Sequence, residues 1–325
     1  MVANLSETNH QPQQPISVTA LLPVKNGMRF ILSAKQQLSK TCRESDEILV
    51  IDDNSTDGTL QELQKWAVED SRVRVLSNVD QGLVAALNLG IDESTNSRIA
   101  RFDVDDNYRE DRLKQQLSLM NPETVAIFSD YEIWRSSGVS LGKIPSPVDS
   151  DAVKISLVNS RRTAHPSVMF SKEAVLSVGG YRAEDFPAED LSLWLRMSRV
   201  GKLVSVPEVL LNYQLGLSSI SGQQRAKIIE RTSSLLRQIG VHDVAVKSGF
   251  ERVEEILDSY SELNLTKSRE LLFLQELTKA TESSGEHKRR AILGKLIKRL
   301  DGNMLSAAFD ISIGTAKRRM YRRFG

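Results

Sequence analysis

One cysteine and four histidines in 325 residues leave little room for thiol or soft-metal chemistry. Cys42 has no second thiol to pair with, so an internal disulfide and a cysteine-built zinc site are excluded, and the lone thiol fits a reducing compartment. The histidines are scattered and no H-E-x-x-H occurs, which removes the commonest helical zinc-hydrolase pattern. The glycine-rich nucleotide loops are missing too. No G-x-G-x-x-G follows the first predicted strand and there is no G-x-x-x-x-G-K-[ST], so a dehydrogenase-type dinucleotide site and a P-loop both lack their turns. No apolar run approaches the ~18 residues that read as a membrane span. The first 15 residues, rich in Gln, Asn and Pro, have neither a basic start nor an apolar stretch, and read as a disordered tail rather than a signal peptide.

What is present is an ordinary globular composition, 40% hydrophobic and 26% charged, with an uneven charge distribution. The net charge of +1 conceals a basic C-terminal stretch, residues 286–325, with 11 Lys or Arg against 3 Asp or Glu. Such asymmetry points to contact with something anionic.

Residues 16–130 alternate in period. Short apolar runs at Ile16 to Leu22, Glu47 to Ile51, Val73 to Leu76, Ser97 to Phe102 and Val125 to Phe128 read as strands. Helical patterns lie between them, at about residues 29–40, 59–69, 82–92 and 110–120. Strand and helix in turn, with continuous apolar strands, predict an α/β fold whose parallel sheet is covered on both faces. Residues 131–221 break the rhythm with shorter elements, among them a strand at Ser167 to Phe170 and a helix near residues 191–200. From residue 222 onward the chain reads as amphipathic helix with polar breaks.

In open α/β sheets ligands bind beyond the carboxyl ends of the strands. Those ends carry Pro23, Val24, Lys25 and Asn26; Asp52, Asp53, Asn54 and Ser55; and Asp103, Val104, Asp105 and Asp106. On an extended segment Asp103 and Asp105 share a face, and two adjacent carboxylates repel unless a cation sits between them. Mg²⁺ and Mn²⁺ favour such oxygen ligands and often share them with substrate phosphates. The plainer reading of the same residues is turn chemistry, with Asn54 or Ser55, and Asp106 or Asn107, capping the following helices. Downstream, Glu189 and Asp190 stand at a predicted helix start, where they can offset the helix dipole or, facing a metal, supply a general base. His165 is either a polar group at the site or a buried histidine satisfied by backbone.

Taken in order, these pieces resemble the family 2 inverting glycosyltransferases, especially bacterial enzymes of surface polysaccharide assembly. The likeness runs from about residue 16 to 221 through Pro23 to Asn26, Ile48 to Asp57, Gly82 to Asn88, Ile99 to Asp106, Asp111 to Leu113, His165 to Met169 and Glu189 to Arg196. It implies a GT-A fold, Rossmann-like with a mostly parallel sheet flanked by helices. Residues 16–130 would form the nucleotide-binding half, 131–221 the acceptor and catalytic half, and 222–325 a basic helical extension. It further implies that Pro23, Val24, Asn26, Asp52, Asp53, Arg101 and Asp103 bind the nucleotide, a UDP-sugar before others. Asp103, Asp105 and Asp106 would hold Mn²⁺ or Mg²⁺, Asp190 would be the catalytic base with Glu189 beside it, and His165 would lie near diphosphate or acceptor. The acceptor would be a saccharide or a lipid-linked sugar, and the location cytoplasmic. Three departures stand out: Lys25 where the family often has an aromatic, Asp80-Gln81 where many members have Asn, and Gly216 near Tyr213 in the closing motif.

Two other readings share this chemistry: a non-catalytic nucleotide-sugar binder and a sugar nucleotidyltransferase. The second usually carries a Gly-rich first loop, which Gly27 and Arg29 only faintly suggest. In the basic stretch Ile292, Leu293, Leu296, Ile297 and Leu300 share a helical face opposite Lys and Arg, a pattern suited to anionic lipid at the inner face of the membrane or to packing on protein. It lacks interleaved aromatic platforms, so nucleic acid is not the expected partner.

Overall fold

Ala20, Leu21 and Leu22 expose no surface, and neither do Ile48, Leu49, Val50 and Ile51, so the apolar runs are strands covered on both faces. The computed structural model describes residues 16–135, 137–159, 163–215 and 224–238. The expected N-terminal tail, Gly216 and the basic stretch 286–325 lie outside the described residues. In chain order come β1 (Val18–Val24), α1 (Met28–Thr41), β2 (Glu47–Asp52), α2 (Thr59–Glu69), β3 (Val73–Ser77), α3 (Leu83–Glu93) and β4 (Arg98–Arg101). They are followed by β5 (Asn107–Tyr108), α4 (Arg112–Leu117), β6 (Thr124–Arg135), β7 (Ser140–Ile144) and α5 (Ser150–Asn159). The rest are β8 (Met169–Ser171), α6 (Lys172–Ser177), α7 (Glu189–Met197), β9 (Lys202–Leu215) and α8 (Arg225–Gln238).

One sheet joins these strands in the order β3-β2-β1-β4-β8-β6-β9-β5, with β7 on β6. The expected parallel sheet is realised from β3 to β4, where alternation of strand and helix enforces it. Beyond β4 the sheet is mixed: β8 runs antiparallel to both β4 and β6, and β9 returns parallel to β6. The strand expected at Val125 to Phe128 continues to Arg135, because its outer half pairs with β7 in a partly exposed hairpin.

Side-chain alternation sorts the core into two layers. Ala20, Leu22, Ile48 and Val50 pack with Ile31 and Leu38 of α1 and Leu63 and Trp66 of α2. Leu21, Leu49 and Ile51 face the other way, onto α3, which leads through Phe128 and Phe170 to Trp194 of α7. Helix α3 approaches β1 closely: a Cβ on Gly90 would lie 2.1 Å from Leu21 Cδ1. The long apolar path through α7 ties the second half of the chain to the sheet that carries the first strand ends.

Candidate active site

Beyond the carboxyl ends of β1 and β4 lies a cleft of about 1080 Å³. Pro23, Val24, Asn26, Asp53, Arg101, Asp103, Asp105, Asp106, His165, Glu189 and Asp190 all line it. Of the expected site residues, Asp52 alone does not. Neighbouring residues at a strand end face opposite ways, and Asp52 turns inward. It is 1% exposed, its Oδ2 accepts the Ser55 N–H at 3.2 Å, and its Oδ1 has no hydrogen-bond partner among the described residues.

Asp53 is held from both sides. Its N–H donates to Val24 O at 2.8 Å, extending the β1–β2 ladder by one residue. Its Oδ1 accepts Asn78 Nδ2 and the Gly82 N–H, each at 2.7 Å, and its Oδ2 pairs with Lys25 Nζ at 3.2 Å. Asn26 sits at φ 51°, with its Oδ1 accepting the Thr56 N–H, so the β1 and β2 loops brace each other. The expected caps at Asn54 and Ser55 are not formed. Helix α2 starts after Gly58, and Asp57 Oδ1 accepts the Thr59 N–H.

Strand β4 ends at Arg101, so Asp103 to Asp106 form a turn and not the extended segment expected. The turn, rather than strand alternation, brings Asp103, Asp105 and Asp106 to one wall. Arg101 grips Asp103 with two bonds, at 2.9 and 2.8 Å. Burial works against the Arg101 charge, but Asp103 outweighs it and the guanidinium pKa stands above its ordinary value. Asp106 caps no helix. Its Oδ1 accepts the Gln214 N–H of β9 at 2.7 Å, and its buried Oδ2 has no hydrogen-bond partner among the described residues. Burial, then the charge of Asp103, raises the carboxyls of both Asp105 and Asp106, the latter well above the usual range. Among the described residues no three His, Cys, Asp or Glu side chains are gathered as a ready metal site.

Beneath this turn is a support that sequence reading missed. The Asp103 N–H donates to Tyr108 Oη at 2.6 Å. The buried Arg112 guanidinium stacks 4.4 Å from the Phe102 ring and 4.7 Å from Tyr108, and donates to Gln116 Oε1 and Val168 O. Burial pushes its pKa down to about 10. Asp111, its neighbour in the motif, pairs with Arg109 instead. The signal available in sequence was a Phe, a Tyr and an Arg bracketing the acidic turn, but their stacking depends on where α4 docks.

The opposite wall is α7. Glu189 and Asp190 occupy its first turn, as expected, and Asp190 Oδ1 accepts the Leu191 N–H at 2.7 Å. Glu189 is 5% exposed, with Oε2 lacking a hydrogen-bond partner among the described residues. Burial, then the Asp190 charge, pushes its carboxyl up to about 7, and Arg101 and Asp103 also act on it across the cleft. His165 is satisfied by a side chain rather than by backbone: Nε2 lies 2.7 Å from Tyr181 Oη, and the ring meets Trp194 edge-on at 5.8 Å. Burial and the Arg101 charge hold the imidazole neutral by lowering its pKa well below 6.5.

Helix α8 closes one side, a placement its amphipathic pattern did not reveal. Gln224, Ile228 and Thr232, spaced by four, line the cleft. Arg231 pairs with Asp185 at 2.7 Å, and Asp185 Oδ2 in turn accepts the Ser192 hydroxyl of α7. A G-x-S-x-G spacing does occur at Gly138, Ser140 and Gly142, but on the β6–β7 hairpin, where the exposed Ser140 donates to Glu132 at 2.7 Å. A nucleophile elbow needs a strand-to-helix turn, and this is none.

The model of the family described as "Glycosyl transferase family 2" matches residues 20–139, which carry the whole acidic wall. Over that segment the chain is similar to that family. It is 26% identical over 231 residues to the putative teichuronic acid biosynthesis glycosyltransferase TuaG of Bacillus subtilis (strain 168), covering 68% of this chain and 88% of that one. Against three longer uncharacterized Rickettsia glycosyltransferases it spans only 32%, 26% and 32% of their length. Among solved structures, S. aureus TarS 1-349 in complex with UDP-GlcNAc superposes with a TM-score of 0.57 at 14% identity, covering 84% of this chain and 83% of that one. The mannosyltransferase PcManGT from Pyrobaculum calidifontis, in complex with GDP-Man and Mn2+, gives 0.54 at 18% identity, covering 94% and 82%. The fold is GT-A, and the protein is a glycosyltransferase.

Proposed function

We propose that this glycosyltransferase moves a sugar from a nucleoside diphosphate to an acceptor hydroxyl with inversion at the anomeric carbon, in surface polysaccharide or glycolipid assembly. The observation that carries the reading is the single cleft in which Asp53, the Asp103–Asp106 turn and the Glu189–Asp190 pair face one another. TuaG, by its name a teichuronic acid biosynthesis glycosyltransferase, supports the polymer setting.

In this reaction the acceptor oxygen bonds to the anomeric carbon as the bond to the diphosphate oxygen breaks, and the acceptor proton passes to Asp190. A single displacement needs no enzyme nucleophile. Asp53 and the β1 end hold the base, while Arg101 lies where a cation can meet the diphosphate. His165, kept neutral, adds no charge to the site, and Tyr181 fixes its ring. A divalent ion fits the acidic turn: the donors are hard carboxylate oxygens, and Asp105 and Asp106 are both raised by burial and by neighbouring carboxylate charge that a cation would relieve. Asp103, Asp105 and Asp106 would hold it, and it would offset charge developing on the departing diphosphate.

The same proposal includes the division into 16–130, 131–221 and 222–325, a cytoplasmic location, and contact of residues 286–325 with anionic lipid. No helix among the described residues is long and apolar enough to cross a membrane. Exchanging Asp190→Asn tests the mechanism. General-base help contributes ~10²–10⁴-fold, so sugar transfer should fall by at least ~100-fold while nucleotide affinity, measured by calorimetry, stays within a few-fold. Undiminished transfer would remove Asp190 from the chemistry.

A further inference from the structure

We infer that Asn88 is a positioning residue for His165: acting through Tyr181, it fixes the orientation of the imidazole in the cleft and the nitrogen that carries its proton. The use of His165 in transfer rests on the transferase reading above, whereas the contacts that hold it do not. Helix α3 starts at the cleft, which Gly82 and Leu83 line, and Asn88 lies about a turn and a half further on. Its side-chain amide meets both polar groups of the Tyr181 backbone. The Tyr181 N–H donates to Asn88 Oδ1 and Asn88 Nδ2 donates to Tyr181 O, each at 2.9 Å. A flipped amide would set donor against donor and acceptor against acceptor, so the backbone dictates which way Asn88 points. The turn before Tyr181 is shaped to admit the contact. Gly179 and Gly180 stand at φ 81° and 63°, and a Cβ on Gly180 would lie 2.8 Å from Asn88 Oδ1. From the other side Arg196 of α7 donates to Val178 O and Gly180 O. Tyr181, 3% exposed, is therefore gripped between α3 and the helix that carries Glu189 and Asp190.

The hydroxyl of this anchored tyrosine lies 2.7 Å from His165 Nε2, with the two ring centroids 5.4 Å apart. A neutral imidazole has one N–H and one bare nitrogen, and the partner of one nitrogen decides which is which. The phenol is the more acidic donor and the bare nitrogen the more basic acceptor, so Tyr181 donates to Nε2 and the proton rests on Nδ1. His165 lines the cleft, and in this form it offers an uncharged N–H donor among the carboxylates. Such a donor suits an oxygen of the diphosphate or of a sugar. Without Asn88 the Tyr181 N–H and C=O both lose a partner, and the hydroxyl, at the far end of the ring, swings away from Nε2.

The test is nitrogen NMR of the full chain carrying ¹⁵N-labelled histidine, with the His165 signals assigned by their loss in His165→Gln. Wild-type protein should show His165 as a single Nδ1–H tautomer. Tyr181→Phe, which removes only the hydroxyl, should move it to the Nε2–H form or an exchanging mixture. Asn88→Ala and Asn88→Asp should do the same, although neither position touches His165. Asn88→Asp keeps the side-chain shape and the bond from the Tyr181 N–H, so it separates the second hydrogen bond from packing. Circular dichroism melting confirms that each variant is folded. Calorimetry with UDP and GDP in the presence of Mn²⁺ should leave nucleotide affinity nearly unchanged in Asn88→Ala. Turnover of the UDP- or GDP-sugar that the wild type accepts should fall on the order of 10–100-fold, as when a contact group is displaced by about an ångström. A lower melting temperature with the His165 tautomer unchanged in Asn88→Ala would overturn the inference and leave the transferase reading standing. So would an Nε2–H tautomer in the wild type, or turnover that holds while the tautomer shifts. A wild-type chain that binds neither nucleotide would instead sink the transferase reading, and the NMR spectra would still judge the path from Asn88 through Tyr181 to His165.

Discussion

Replacing Glu189 by Gln removes a carboxylate that the fold holds at a cost, and the sign of the effect depends on pH. Glu189 is 5% exposed, its Oε2 has no hydrogen-bond partner among the described residues, and Asp190 lies next to it, so its pKa rises from 4.5 to about 7. Between those two values the folded protein keeps a proton that the unfolded chain has already released. The folded state then binds more protons, so this group's contribution to stability is full below pH 4.5 and is lost as pH rises through 7. Each unit corresponds to about 1.4 kcal/mol, which puts the total at no more than about 3.5 kcal/mol. Glutamine keeps the shape and stays neutral. Urea denaturation of metal-free protein should therefore show Glu189→Gln more stable than wild type at pH 8, by up to about 3.5 kcal/mol, with the gain shrinking toward zero near pH 4.5. Asp105 and Asp106 titrate in both proteins and cancel in the difference. A stability difference equal at pH 5 and pH 8 would refute the electrostatic account and leave only a change in packing.

Two further substitutions probe the scaffold. Gly90→Ala places a methyl 2.1 Å from Leu21 Cδ1, so the buried Leu21 side chain, α3 or β1 must shift. Overpacking of this kind costs ~1–3 kcal/mol and should lower the urea midpoint with an unchanged slope. Tyr108→Phe leaves the Asp103 N–H without its acceptor beneath the acidic turn. The expected loss is ~1–3 kcal/mol in stability, accompanied by weaker nucleotide diphosphate binding in calorimetry. Wild-type stability in either variant would contradict the contacts described.

The first half of the fold could be read because its strands are buried on both faces and separated by amphipathic helices, a pattern few other arrangements produce. The insertion of β8 between β4 and β6 could not be read, since three residues carry no period and pairing partners are set by distant packing. The outer half of β6 was missed for a related reason: residues 131–135 mix Tyr, Glu, Ile, Trp and Arg in a hairpin that is covered on neither face completely. At the site, acidic residues at strand ends were legible by type and position. Their conformation was not: Asp103 to Asp106 turn rather than extend, and Asp52 faces away from its neighbour Asp53 because direction alternates at a strand end. The supports, Tyr108 and Arg112, carry signatures shared with any core, and only the docking of α4 gives them a task.

The Arg231–Asp185 contact has a practical outcome for anyone cutting or grafting this enzyme. A fragment ending at residue 221 would keep Asp53, the Asp103–Asp106 turn and the Glu189–Asp190 pair yet leave that side of the cleft uncovered, with Asp185 deprived of its guanidinium. Chimaeras that exchange this wall of the cleft should therefore carry residues 224–238 along with the α7 segment they brace, as one transplantable unit.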